Sequence, residues 1–174
     1  MTDSCHGEKL VWDGSDFEAM GWHDCRFWSF VAIPETFELA IDLDYIFKWV
    51  RPREEGSFFS FWVSPATMVF ENVHGVELEV ESSQGTLEIA DLHREDPRLT
   101  PNKKFTEHLY RFELQEGELR LRATGFQMYV RQEPVLLEQG AFTYAERGGI
   151  SFERGMAAKS NKDADPEWVN PVKS

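Results

Sequence analysis

The chain has 174 residues, 18 of them basic and 31 acidic, for a formal net charge of −13. Such a length fits one domain that buries about 70% of its unfolded surface without staples, and so negative a field argues against nucleic acid and anionic membrane as partners. Hydrophobic residues at 41% and aromatics at 14% argue against global disorder, and the lack of an apolar run near the ~20 residues of a membrane span, with the polar start MTDSCHGEKLVWDG, sets the expectation of a cytoplasmic protein.

Residues 1–20 read as an arm with aromatic anchors at Trp12 and Phe17. Residues 21–154 read as a single β-rich domain, and residues 155–174 as a loose, polar, Pro-bearing tail. The first strand is the aromatic-rich Cys25 to Ile33. In Phe37 to Tyr45, the residues Phe37, Leu39, Ile41, Leu43 and Tyr45 alternate with Glu38, Ala40, Asp42 and Asp44. Phe37, Ile41, Tyr45 and Trp49 also fit a helical spacing of four, but the strict alternation favours a strand. Ser57 to Val63 is apolar on both faces, as a central strand would be; Pro65 interrupts it, and Ala66 to Asn72 resumes the pattern. A turn at His74-Gly75 leads to the strand Val76 to Val80, and Ser82 to Gly85 turns the chain into Thr86 to Leu92. A short helix is expected near Pro101 to Glu107.

Leu109 to Gln115 and Glu118 to Thr124 make the clearest hairpin, turning at Glu116-Gly117. Tyr110, Phe112 and Leu114 must share a face with Leu119, Leu121 and Ala123, which suggests pairing Leu114 with Leu119, Phe112 with Leu121, and Glu113 with Arg120. Phe126 to Gln132 is a further strand. The expected class is mainly β: an antiparallel β-sandwich or incomplete β-barrel with at most one or two short helices.

No HExxH, GxSxG, P-loop or GxGxxG occurs, and Cys5 and Cys25 lack metal-ligand spacing, so no cofactor and no metal are expected. Asp42 and Asp44 sit two apart on one strand face, the spacing of a divalent-cation or acid/base pair, which Glu71 on a neighbouring strand could complete. The ordinary reading, a solvated carboxylate face, is preferred. His23-Asp24 could supply a general base, but a turn Asp beside a hydrogen-bonded His explains the pair more simply. Arg111, Arg120 and Arg122 could hold a carboxylate or phosphate, or form a salt-bridged outer face with Glu113. Charge is uneven: residues 1–87 carry 5 basic and 16 acidic side chains, net −11, and residues 88–174 carry 13 and 15, net −2. Asp42, Asp44, Glu77, Glu79 and Glu81 would face a basic protein partner.

The stretches HDCRFWSF, FELAIDLDYIFKWV, FSFWVSPATMVFENV, LEIADLHRE and YRFELQEGELRLRATGFQMYVRQEP, within His23 to Pro134, resemble a group of uncharacterised small β-rich bacterial proteins. More distantly, the His-Asp opening and the later FENV are similar to immunity proteins of bacterial toxin systems. The resemblance implies a small bacterial β-rich protein and carries no residue role. The favoured function is therefore a non-enzymatic, immunity-type protein-binding domain. The alternatives are a barrel-like binder of a small apolar or sugar ligand, and a carboxylate- or metal-dependent hydrolase using Asp42, Asp44 or His23.

Overall fold

The computed structural model describes residues 9–156. Its strands are β1 (Val11–Asp13), β2 (Cys25–Ile33), β3 (Glu38–Val50), β4 (Ser60–Glu71), β5 (His74–Val80), β6 (Leu87–Leu99), β7 (Thr106–Leu114), β8 (Gly117–Ala123), β9 (Gly125–Val130) and β10 (Val135–Leu137). The one helical element among the described residues is a 3-10 turn at Phe17–Ala19. All ten strands join one antiparallel sheet in the order β1-β9-β4-β3-β2-β6-β7-β8-β5, with β10 continuing the line of β9 along β4.

The sheet doubles over. Phe70 on β4 meets Tyr110 on β7 with ring centroids 4.9 Å apart, although three strands separate them in the hydrogen-bonded order. Phe126 on β9 reaches the same ring at 6.0 Å, and Phe27 on β2 reaches Phe112 at 6.2 Å. Period-two alternation directs one row from each strand into this core: Leu39, Ile41 and Leu43 lie opposite Phe70, Met68 and Ala66. The fold occurs at a corner where the β4/β9 ribbon becomes the β5/β8 ribbon. There Thr124 N–H donates to Glu71 O at 3.0 Å, and the Asn72 side chain, on a left-handed backbone, donates to Thr124 Oγ1 at 2.8 Å. The architecture is thus the expected mainly β class, with two layers of one unclosed sheet.

Several local expectations are corrected. β4 runs unbroken through Pro65, because Pro65 turns its backbone groups toward the gap between β9 and β10, where no ladder donor is required. β6 likewise runs past Pro97 by way of a bulge with Asp96 at φ 47. The expected helix near Pro101 is a tight turn closed by Thr100 N–H to Phe105 O, and β7 begins at Thr106. His74-Gly75 is the start of β5 and not a turn, the chain having turned already at Asn72.

The β7–β8 faces are as expected, but the register is shifted by two residues. Phe112 pairs with Leu119, Tyr110 with Leu121 and Leu114 with Gly117, leaving a two-residue turn at Gln115-Glu116. Neither turn residue takes positive φ; Gly117 does, at 154°, and a Cβ there would lie 2.0 Å from Glu79 O. Glycine thus permits both the tight turn and the close approach of β5. Part of the expected arm also joins the domain: β1 pairs with β9, and Trp12 and Phe17 pack on the core. Residues 1–8 of that arm, with Cys5, and residues 157–174 of the tail lie outside the described residues.

Candidate functional site

Asp42 and Asp44 were expected to face solvent. Both are instead fully buried, because residues 138–156 cross the outer face of β3 and β4 and cover it. Asp42 Oδ1 accepts from Arg131 Nη2 at 2.7 Å and Arg147 Nη2 at 2.6 Å, while Oδ2 accepts from Arg147 Nη1 at 2.7 Å and Ser151 N–H at 2.9 Å. Asp44 accepts from Arg147 Nε at 3.1 Å, Trp28 Nε1 at 2.8 Å and Phe142 N–H at 3.1 Å. The Arg147 guanidinium also lies over the Trp28 ring at 4.7 Å. Two carboxylates and two guanidiniums thus neutralise each other out of water. Burial pushes the Asp44 carboxyl above its usual range against the pull of Trp28 and Arg147. For Arg147 burial works against the charge, yet hydrogen bonds to Asp42 and the field of Asp44 raise its affinity for the proton. With their oxygens taken by guanidinium and N–H donors, the two carboxylates form a structural clasp. Glu71 is exposed at the end of β4 and does not join them. Among the described residues no group of three His, Cys, Asp or Glu side chains could hold a metal ion.

The arginines of the β7–β8 hairpin are neutralised. Arg111 and Arg120 lie directly opposite each other, and carboxylates separate them: Arg111 reaches Glu95 at 3.0 Å and Glu118 at 3.3 Å, while Arg120 reaches Glu77 at 2.9 Å and Glu118 at 3.1 Å. Glu113 faces Glu118 and takes His93 at 3.0 Å. Arg122 is buried against Glu107 at 2.9 Å and Asp96 at 3.1 Å. Glu107 also meets His74 at 2.8 Å, and that hydrogen bond, then Arg122, holds its carboxyl below the usual range. These arginines therefore present no vacant anion cradle.

His23 stacks on Trp49 at 5.7 Å and 11°, its Nδ1 near Ala90 O. Its Nε2 lies 3.6 Å from Asp24. Cys25 is fully buried, and burial pushes its thiol up to about 12. At the β3–β4 connection, Phe58, Phe59 and Phe61 line an open cavity of about 980 Å³ with Arg53, Glu54 and Glu138.

The remaining predicted carboxylates gather at β5, an edge strand whose seven residues are all exposed. Glu77 pairs with Arg120, whereas Glu79 and Glu81 have no ion-pair partner among the described residues. With Glu116 and Glu118 they border a concavity of about 620 Å³. The backbone direction of β5 follows from its ladder. Glu81 N–H donates to Glu116 O, and Glu79 lies opposite Glu118, so these residues turn their amides toward β8. Leu78 and Val80, alternating with them, turn theirs to the side without a strand.

The same edge is apolar on its inner face. Leu78 lies opposite the buried Leu119 yet is 47% exposed, and Val80 is 36% exposed. β2 pairs with β6 only over Cys25 to Phe27, which leaves its second half open on that side. There Phe30 and Ala32 lie opposite the core residues Ile41 and Leu39 while still reached by solvent. The Val73 N–H to Phe37 O bond ties β5 to the β2–β3 turn, and the Phe27–Leu87 pair ties in the chain that follows β5. Leu78 and Val80 on β5 and Phe30 and Ala32 on β2 thus leave inner-face apolar surface reached by solvent along the flank of these two strands.

Alternation in the sequence marks β5 and its carboxylates, but nothing local marks Arg131 as a partner of Asp42 or residues 138–156 as a cover. For Arg147 the only local signal is Gly148-Gly149, whose positive φ values let Gly149 O fold back onto Arg147 at 2.5 Å. No family model, no curated protein and no solved structure matches the chain.

Proposed function

We propose that this protein is a non-enzymatic protein-binding domain that takes a basic partner at the flank around β5. The observation that carries the reading is an edge strand exposed along its whole length, with Glu79 and Glu81 beside it free of an ion-pair partner among the described residues. Two further features support it. The Asp42–Asp44 pair is spent on the clasp, so the carboxylates best spaced for chemistry are closed to substrate. The excess negative charge of residues 1–87 would also speed encounter with a cation-rich surface and exclude acidic competitors. An immunity-type neutraliser of a basic toxin is the finer form of this reading, in keeping with the resemblance above. A second reading, a small apolar or sugar ligand, is favoured by the Phe58–Phe59–Phe61 cavity, where Phe58 is 90% exposed.

The test is capture of partners by the wild-type domain and by a Glu79→Gln/Glu81→Gln variant, followed by association kinetics of each captured protein. The expected result is a basic protein whose on-rate falls steeply as salt shortens the screening length below ~10 Å and falls again in the variant, with folding unchanged. A partner whose binding ignores both salt and the substitutions would overturn the reading.

A further inference from the structure

We propose that the basic partner adds an extended segment as a new strand on the open side of β5, an inference that rests on the acidic-flank reading above. The sheet already supplies what such a strand needs. Leu78 and Val80 present their backbone N–H and C=O groups to the side where β5 has no neighbour. The added strand would alternate, because the two faces of β5 differ. On the inner face its side chains would cover Leu78 and Val80 and reach Phe30 and Ala32 across the flank, so they are apolar. On the outer face they would meet Glu79 and the Glu81–Glu116–Glu118 concavity, so they are Lys or Arg. Main-chain bonds then supply affinity, and the alternation supplies specificity. A second copy of this chain is disfavoured as the occupant, because pairing β5 with itself brings Glu79 and Glu81 of both copies together.

The probe is a peptide of about eight residues with Lys and Val alternating, added to the full chain at low salt. Binding is read by affinity and by amide exchange in β5. The expected result is salt-sensitive binding that newly protects the Leu78 and Val80 amides. N-methylation of the peptide at one alternate set of residues should weaken binding roughly tenfold, and methylation of the other set should change it little. Binding that is lost in Glu79→Gln/Glu81→Gln, yet indifferent to either methylation pattern and without protection at Leu78 and Val80, would overturn strand addition and leave the acidic flank standing. Failure of the peptide and of other basic partners to bind at all would overturn both. Protection of the same amides by self-association in the absence of peptide would identify the occupant as a second copy and overturn the basic segment.

Discussion

The Arg147 side chain is enclosed with no solvent contact, and its charge is tolerated because Asp42 and Asp44 occupy three of its nitrogens. Removing one member of such a buried set leaves the opposite charge without a partner, which costs more than the intact set contributes. Arg147→Met is therefore expected to lower unfolding free energy in urea by about 3–5 kcal/mol. Arg154→Met breaks the partly exposed pair with Glu38 and a side-chain contact with Tyr129, and should cost less than about 1 kcal/mol. Equal losses in the two variants would show that the clasp is not the main attachment of residues 138–156.

At the scale of the element, β5 is a strand held from one side. Among the described residues only β8 bonds it, through a ladder with a bulge between His74 and Glu77. In the free protein, exchange should therefore alternate along β5, with the Glu79 and Glu81 amides slowed by β8 and the Leu78 and Val80 amides close to unprotected. Uniform protection would mean that the open side is already covered in solution. The glutamates also guard this edge, since repeated negative charge keeps copies of the chain from pairing edge to edge.

For the whole molecule, acid sensitivity follows from paired carboxylates. His74 and Arg122 hold Glu107 below its usual range, Arg98 does the same for Asp96, and Arg154 for Glu38. A carboxyl depressed in the folded state gives stability that is full above the unfolded value and is lost as pH falls through the folded one. Asp44 acts in the opposite sense, because burial raises it and protonation relieves its penalty. Relief of self-repulsion at a net charge of −13 also opposes acid unfolding. The depressed set outnumbers Asp44, so urea midpoints should decline below about pH 4. Glu107→Gln should flatten that decline, and an unchanged slope in this variant would remove Glu107 from the account.

The sequence by itself determined the mainly β class and, for the longer strands, most of the facing of their side chains; Phe37, read as part of the core row, instead stands outside β3 and is exposed. Aromatic content in Cys25 to Ile33 and alternation in Phe37 to Tyr45 pointed to strands, and the common face of Tyr110, Phe112, Leu119 and Leu121 survived a register shift of two, because a period of two conserves face. It also marked Glu77, Glu79 and Glu81 as outward. Tertiary structure decided what lies on each face. Asp42 and Asp44 occupy the polar positions that alternation assigns to solvent, but Arg147, 103 residues beyond Asp44 in the chain, closes over them. No local pattern records that closure, because burial depends on which distant segment arrives. The open side of β5 likewise follows from sheet order and the bend at Asn72, which leave an ordinary alternating strand at the edge.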